Sequence, residues 1–194
     1  MRNKKPIRPV ASQTFSMSDP RDIFVKLICE IQWLDAAPHW NQTERAFIAM
    51  NGAITAWHMA EWLAAYLSPE QKAKLSKFAG VKIDSKRSLQ EYARKSSSAI
   101  HVCRQIASGA KHVHVDRYAD PNVTAQLEGH VERSEQGADA YVRLWVRNGT
   151  REWSPEDLLE EALAFWKEVL IAVDLYPKDA LPEAKRRKLP TAPR

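Results

Sequence analysis

The sequence predicts an α+β fold, mainly α: a four- to five-helix bundle with a small antiparallel β-sheet or hairpin inserted before the last helix. Three observations carry this expectation. Apolar residues recur at helical spacing up to Gly109 and again after Pro155. Beyond Gly109 the period changes, with Val113 and Val115 alternating against His112, His114 and Asp116. Asn148-Gly149, the strongest short hairpin signal, follows a run of strand-forming residues at 141–147.

The elements follow in order. Ser18-Asp19-Pro20 is a helix start, a capping side chain followed by Pro in the first turn. Ile23, Leu27, Ile31 and Leu34 form its apolar stripe, and it ends before Pro38. Asn41 or Thr43 caps a long second helix to about Leu67, with Phe47, Met50, Ile54, Trp57 and Ala65 as its expected stripe. Ser68-Pro69-Glu70 starts a short third helix, closed by Gly80. Ser88 opens a long helix whose stripe is Leu89, Tyr92, Ala99, Cys103, Ala107 and Ala110. Residues 123–132 read as a strand, 141–147 as a clear strand, and 150–153 as its return. Segments 116–122 and 133–139 read as loops. Ser154-Pro155-Glu156-Asp157 caps a last helix to about Leu175, and Pro177 stops it.

This gives one helical domain over 18–176, with the inserted sheet at about 112–153. A basic arm (1–17) and a basic, Pro-containing tail (177–194) flank it. The net charge of +5 is unevenly placed: residues 1–9 and 183–194 carry +4 each, so the body is −3. The tails are either solvating termini or an electrostatic clamp on nucleic acid through Lys4, Lys5, Lys185, Arg186, Arg187 and Lys188. Cys29 and Cys103 lack CxxC spacing and read as reduced core thiols, which suits a cytoplasmic protein. The basic N-terminus lacks the apolar run of a signal peptide. No apolar stretch approaches the ~20 residues of a membrane span. With six Gly, the chain has no Gly-rich phosphate loop and no G-x-S-x-G, and nothing in it calls for a cofactor.

Three constellations could carry chemistry. On the helix opened by Ser88, His101, Arg104, Ser108 and His112 fall within about 80° of one another. Arg94 precedes His101 on the same helix. An Arg there can bind a phosphate and a His can act as acid or base; the alternative is a solvated face. On the second helix, Asn51, Thr55 and His58 share a face beside Glu61. A mid-helix Asn is poor for propensity, so this reads as a buried polar network that could orient catalytic groups. Third, if 112–116 is extended, His112, His114 and Asp116 point to one face, a ligand set suited to zinc or iron and to a metal-dependent hydrolase.

Three segments then carry a resemblance: Trp57-His58-Met59-Ala60-Glu61-Trp62, the run from Cys103 to Lys111 and His112, and Ala162-Leu163-Ala164-Phe165-Trp166-Lys167. Over roughly residues 20–175 the chain resembles bacterial, phage and plasmid proteins similar to the HEPN superfamily. The resemblance implies a helical bundle and a metal-independent RNase or RNA-binding protein of a defence, toxin–antitoxin or mobile-element system. It also implies a homodimer that brings two Arg–His motifs together. Arg104 with Gln105 and His112, supported by Lys111, would be the motif, although their spacer exceeds the family's usual length. Arg94 and His101, with a spacer in the usual range, are the alternative pair. Many relatives of that fold lack nuclease activity, so an interaction module binding RNA or a protein partner is the rival expectation.

Overall fold

The computed structural model describes residue 15 and residues 17–111, 119–134 and 137–176, with 130–134 and 137–141 described by backbone alone. Helix α1 (Pro20–Ala36) opens on the expected signal. Asp19 caps it through the Arg21 N–H, and Asp22 closes a capping box. Ile23, Leu27, Ile31 and Leu34 are all buried, as their spacing predicted. Helix α2 (Gln42–Tyr66) is capped by Asn41. Helix α3 (Pro69–Ala79) is capped by Ser68 and ends on Gly80 at φ 67°, the left-handed conformation that glycine adopts without cost.

The long fourth helix is a correction. It begins at a Ser85 cap, one turn before Ser88, and is two helices: α4 (Lys86–Ser96) and α5 (Ser98–Lys111). Ser97 stands between them in an extended conformation. Its N–H still donates to the Ala93 carbonyl at 3.1 Å, while its hydroxyl accepts from the Ile100 N–H at 3.2 Å. Serine side chains compete for backbone groups in this way, and three stand in a row here. Gly109, the expected point of the period change, lies inside α5, which continues to Lys111.

The inserted sheet has the order β1-β2-β3, all antiparallel. Strands β1 (Val123–Ser134) and β2 (Gly137–Asn148) pair from Val123↔Asn148 to Ser134↔Gly137. The expected loop at 133–139 is thus corrected: its described residues complete the ladder. Gly149, at φ 60°, makes the predicted tight turn into β3 (Arg151–Trp153). Helix α6 (Pro155–Ala172), capped by Ser154, closes the fold.

Helix α2 is the hub, but its orientation reverses the expected one. Gly52, Ala53, Thr55, Ala56, Met59, Ala60 and Leu63 are its buried residues, while Phe47 and Met50 are exposed. Ile54 and Trp57 are half-buried, and Ala65 is exposed. The small residues win because they let α1, α5 and α6 approach closely. A Cβ on Gly52 would stand 2.5 Å from Leu159 Cδ1. The fully buried Trp166 donates its indole N–H to the Ala56 carbonyl at 2.8 Å, locking α6 to α2. Arg45 is buried too. It donates to the Leu34 and Ala37 carbonyls at 2.9 and 3.2 Å and pairs with Glu156, which ties the end of α1 to the start of α6. Cys103 is fully buried, and burial pushes its thiol up to about 12; Cys29 is half-buried rather than in the core, and neither forms a disulfide.

Candidate functional site

The break at Ser97 turns α4 and α5 into two walls of a cleft of about 1060 Å³, closed by α2 and by the turn at 119–121. Arg94, His101, Arg104 and Gln105 all line it, so four of the expected site residues come together. Arg94 and His101 do so from different helices, not from one helical face as expected.

The centre of the site is His101. Its Nε2 lies 2.8 Å from Asp120 Oδ2, across 19 residues of sequence, and its side chain is only 17% exposed. Asp120 is itself fixed by a local turn. Its Oδ1 accepts from the Asn122 N–H at 2.9 Å and from the Asn122 side-chain amide at 3.0 Å. These bonds, the backbone one first and then the His101 contact, hold the Asp120 carboxyl below the usual carboxylate range. An ionised carboxylate only accepts, so the proton of that contact sits on His101 Nε2. Nδ1 is then the nitrogen that can take a proton.

Two guanidinium groups share the cleft. Arg94, in the last turn of α4, makes a forked contact with Glu91 at 2.8 and 2.6 Å. Lys95 reaches the same carboxylate at 3.0 Å, and Lys95 and Arg94 together keep it below the usual range. Arg104, one turn beyond His101, places its guanidinium carbon 6.0 Å from the Trp57 ring centroid, at the edge of cation–π range.

The other expected residues distribute as follows. Asn51 and His58 are exposed on α2, which corrects the reading of a buried polar network; Asn51 answers to no core demand. Thr55 alone of that trio is buried, accepting from Lys26 Nζ at 2.5 Å. Glu61 links α2 to α4 by accepting from Lys86 at 3.1 Å and Gln90 at 3.4 Å. Ser108 is half-buried and Lys111 exposed on α5, both outside the cleft lining. His112, His114 and Asp116 lie outside the described residues, as do Lys4, Lys5, Lys185, Arg186, Arg187 and Lys188. Among the described residues no three His, Cys, Asp or Glu side chains are placed to hold a metal, and no helix is long and apolar enough to cross a membrane.

Sequence reasoning missed Asp120, Arg87 and the role of Trp57 as a wall of the cleft. Asp120-Pro121-Asn122 is a visible turn signal. Nothing local says that this turn returns to the first turn of α5.

A second, apolar cavity of about 240 Å³ lies under the hairpin. Ala46 and Met50 of α2, Leu127 and Leu144 of the hairpin, and Leu158 and Leu159 of α6 line it. No protein-family model, curated protein or solved structure matches the chain.

Proposed function

We propose that the polar cleft binds RNA and cleaves it without a metal, as the HEPN-like resemblance implies. The observation that carries this is the His101–Asp120 pair in a cleft shared with Arg94 and Arg104. RNA carries its own nucleophile, the ribose 2′-hydroxyl, so a base and cations for the phosphate suffice for chain cleavage. In the proposed step His101 Nδ1 takes the 2′-hydroxyl proton, and the 2′-oxygen bonds to phosphorus as the bond to the 5′-oxygen breaks. The leaving 5′-oxygen takes a proton from Nδ1–H or from water. The products are a 2′,3′-cyclic phosphate and a 5′-hydroxyl. Arg104 and Arg94 stabilise the charge on the phosphoryl oxygens, and Asp120 keeps the imidazole in the required tautomer. The Arg94–His101 pair thus takes the leading role, with Arg104 as the second cation. A homodimer and a place in a defence, toxin or mobile-element system belong to the same reading, and two free thiols fit a reducing compartment.

The test is incubation of purified protein with RNA in EDTA. Wild type is expected to cleave, and His101→Ala to lose about 10²–10⁴ in rate, the usual worth of a general base. Equal amounts of intact RNA with wild type and variant would sink the proposal.

A second reading, a non-catalytic interaction module, is favoured by the exposure of Trp40 (84%), just before α2, and Phe47 (63%), in its second turn. In this reading that face meets a second copy of the chain. Sedimentation velocity is expected to give a dimer for wild type and a monomer for Phe47→Ser; a monomeric wild type removes it.

A further inference from the structure

Arg87 and Trp57 line the same cleft as the His101 site, yet neither has a part in the cleavage step described above. Arg87 is exposed in the first turn of α4 and makes no hydrogen bond or ion pair with the described residues. Its neighbours differ. Lys86 is tied to Glu61, and Arg94 is tied to Glu91. Arg87 stands seven residues before Arg94, about 10 Å along the helix by the ~1.5 Å rise per residue. Trp57 comes from α2, half-buried, packed against the core while it walls the cleft beside Arg104. Glu61, one turn beyond Trp57, holds Lys86 and Gln90, so the first turns of α4 are fastened next to this stretch of α2. The cleft of about 1060 Å³ lies just above the ~300–1,000 Å³ range of small-molecule sites, room for more than one nucleotide.

Resting on the reading of this cleft as an RNA site, we infer that Trp57 and Arg87 form a subsite for the nucleotide next to the scissile phosphate: the base stacks on the Trp57 ring and its phosphate pairs with Arg87. A base reaches an indole ring only when it is splayed from its neighbours, so the subsite selects unpaired chains of several nucleotides over duplex or mononucleotides. Trp57 and Arg87 here are binding residues and take no part in proton transfer. An unpaired arginine contributes a salt-sensitive contact, and an aromatic ring contributes one that salt leaves intact.

The test uses fluorescence anisotropy with 2′-O-methyl oligonucleotides, which resist cleavage through the 2′-oxygen. Trp57→Leu is expected to weaken binding of a single-stranded six-mer about tenfold, and Trp57→Phe, which keeps a ring and protects the fold, much less. An abasic six-mer should bind wild type and Trp57→Leu equally. Arg87→Gln should lower the slope of log affinity against log salt by about 0.7 for the six-mer. It should leave a dinucleoside monophosphate, which has a single phosphate, unaffected. Unchanged six-mer affinity in both Trp57→Leu and Arg87→Gln, with wild type binding the six-mer, overturns the subsite and leaves the His101 site standing. Failure of wild type to bind any oligonucleotide overturns both.

Discussion

The two cavities share α2 and α5, with Ile106 of α5 lining one and His101, Arg104 and Gln105 the other, and differ in the chemistry of what they hold against α2. Met50 and Trp57, two turns apart on the outward stripe of α2, belong to the apolar and the polar cavity respectively. Opposite Met50 come the apolar face of the hairpin (Leu127, Leu144) and α6 (Leu158, Leu159). Opposite Trp57 come α4 and α5 with Arg94, His101 and Arg104. In the polar cavity most side chains are oriented by a partner: His101 by Asp120, Asp120 by Asn122, Arg94 by Glu91. The apolar cavity, whose lining has Gln126 as its polar exception, is held by burial of apolar surface, which is non-directional. The difference separates two kinds of consequence. Substitutions at the apolar cavity should register in stability and, on the proposed function, substitutions at the polar one in RNA binding and cleavage.

The largest expected effect lies on the apolar side. Leu159 is almost wholly buried, at 1% exposure, and Leu159→Ala is expected to cost about 2–5 kcal/mol, measured by urea unfolding. RNA binding by the folded fraction should stay at the wild-type value. Loss of binding in a folded Leu159→Ala protein would break the separation. Gly52→Ala probes the same contact from the other side. Its new Cβ would meet the end of the Leu159 side chain, which borders the cavity and can swing into it. Relief of the strain in this way, with the ~1 kcal/mol helix preference of Ala over Gly, should leave stability within about 1 kcal/mol of wild type.

On the polar side, Asp120→Asn keeps the shape and removes the charge that fixes the His101 tautomer. Cleavage is expected to fall by an order of magnitude or more. The same substitution has a pH signature. The folded Asp120 carboxyl is held below its usual range. Its contribution to stability is therefore present above the unfolded value, ~3.9, and is lost as pH falls through the lower folded value. The difference in Tm between wild type and Asp120→Asn should hold above about pH 5 and shrink on acidification from there to about pH 2. A difference that holds constant over that window would show that Asp120 acts without its charge.

What the chain reveals of itself follows the same division. The helix starts at Asp19, Ser68 and Ser154 are legible because a cap is a local device, its donor and acceptor two or three residues apart. Asn148-Gly149 is legible for the same reason. Ser97 is not: a single serine can sit within a helix or break it, and here its hydroxyl takes the Ile100 N–H. The face of α2 is not legible, because large apolar residues occupy its outside, while Gly52, Ala53, Ala56 and Ala60 decide the packing by being small. Of the four cleft residues, Arg94, His101 and Arg104 follow from helical spacing, and Gln105 from the resemblance alone. Asp120, which contacts His101, depends on a tertiary contact that no local pattern encodes.

The smallest expected effect is a gain. Glu91 occupies the fork of Arg94 and also holds Lys95, three charges on one exposed turn of α4. Such exposed pairs contribute little to folding, ~0.3–0.5 kcal/mol, so Glu91→Gln should leave Tm almost unchanged. A carboxylate at that place does, however, lower the positive potential that a phosphate meets. Glu91→Gln is therefore expected to tighten RNA binding by about two- to fivefold at low salt. The gain should fade near 1 M salt, where the Debye length is about 3 Å. Anisotropy titrations at two salt concentrations measure it. Weaker binding in Glu91→Gln would mean that Glu91 serves the site by holding Arg94 in its binding pose, and the oriented-partner rule that separates the two cavities would then extend to Arg94 as it does to His101.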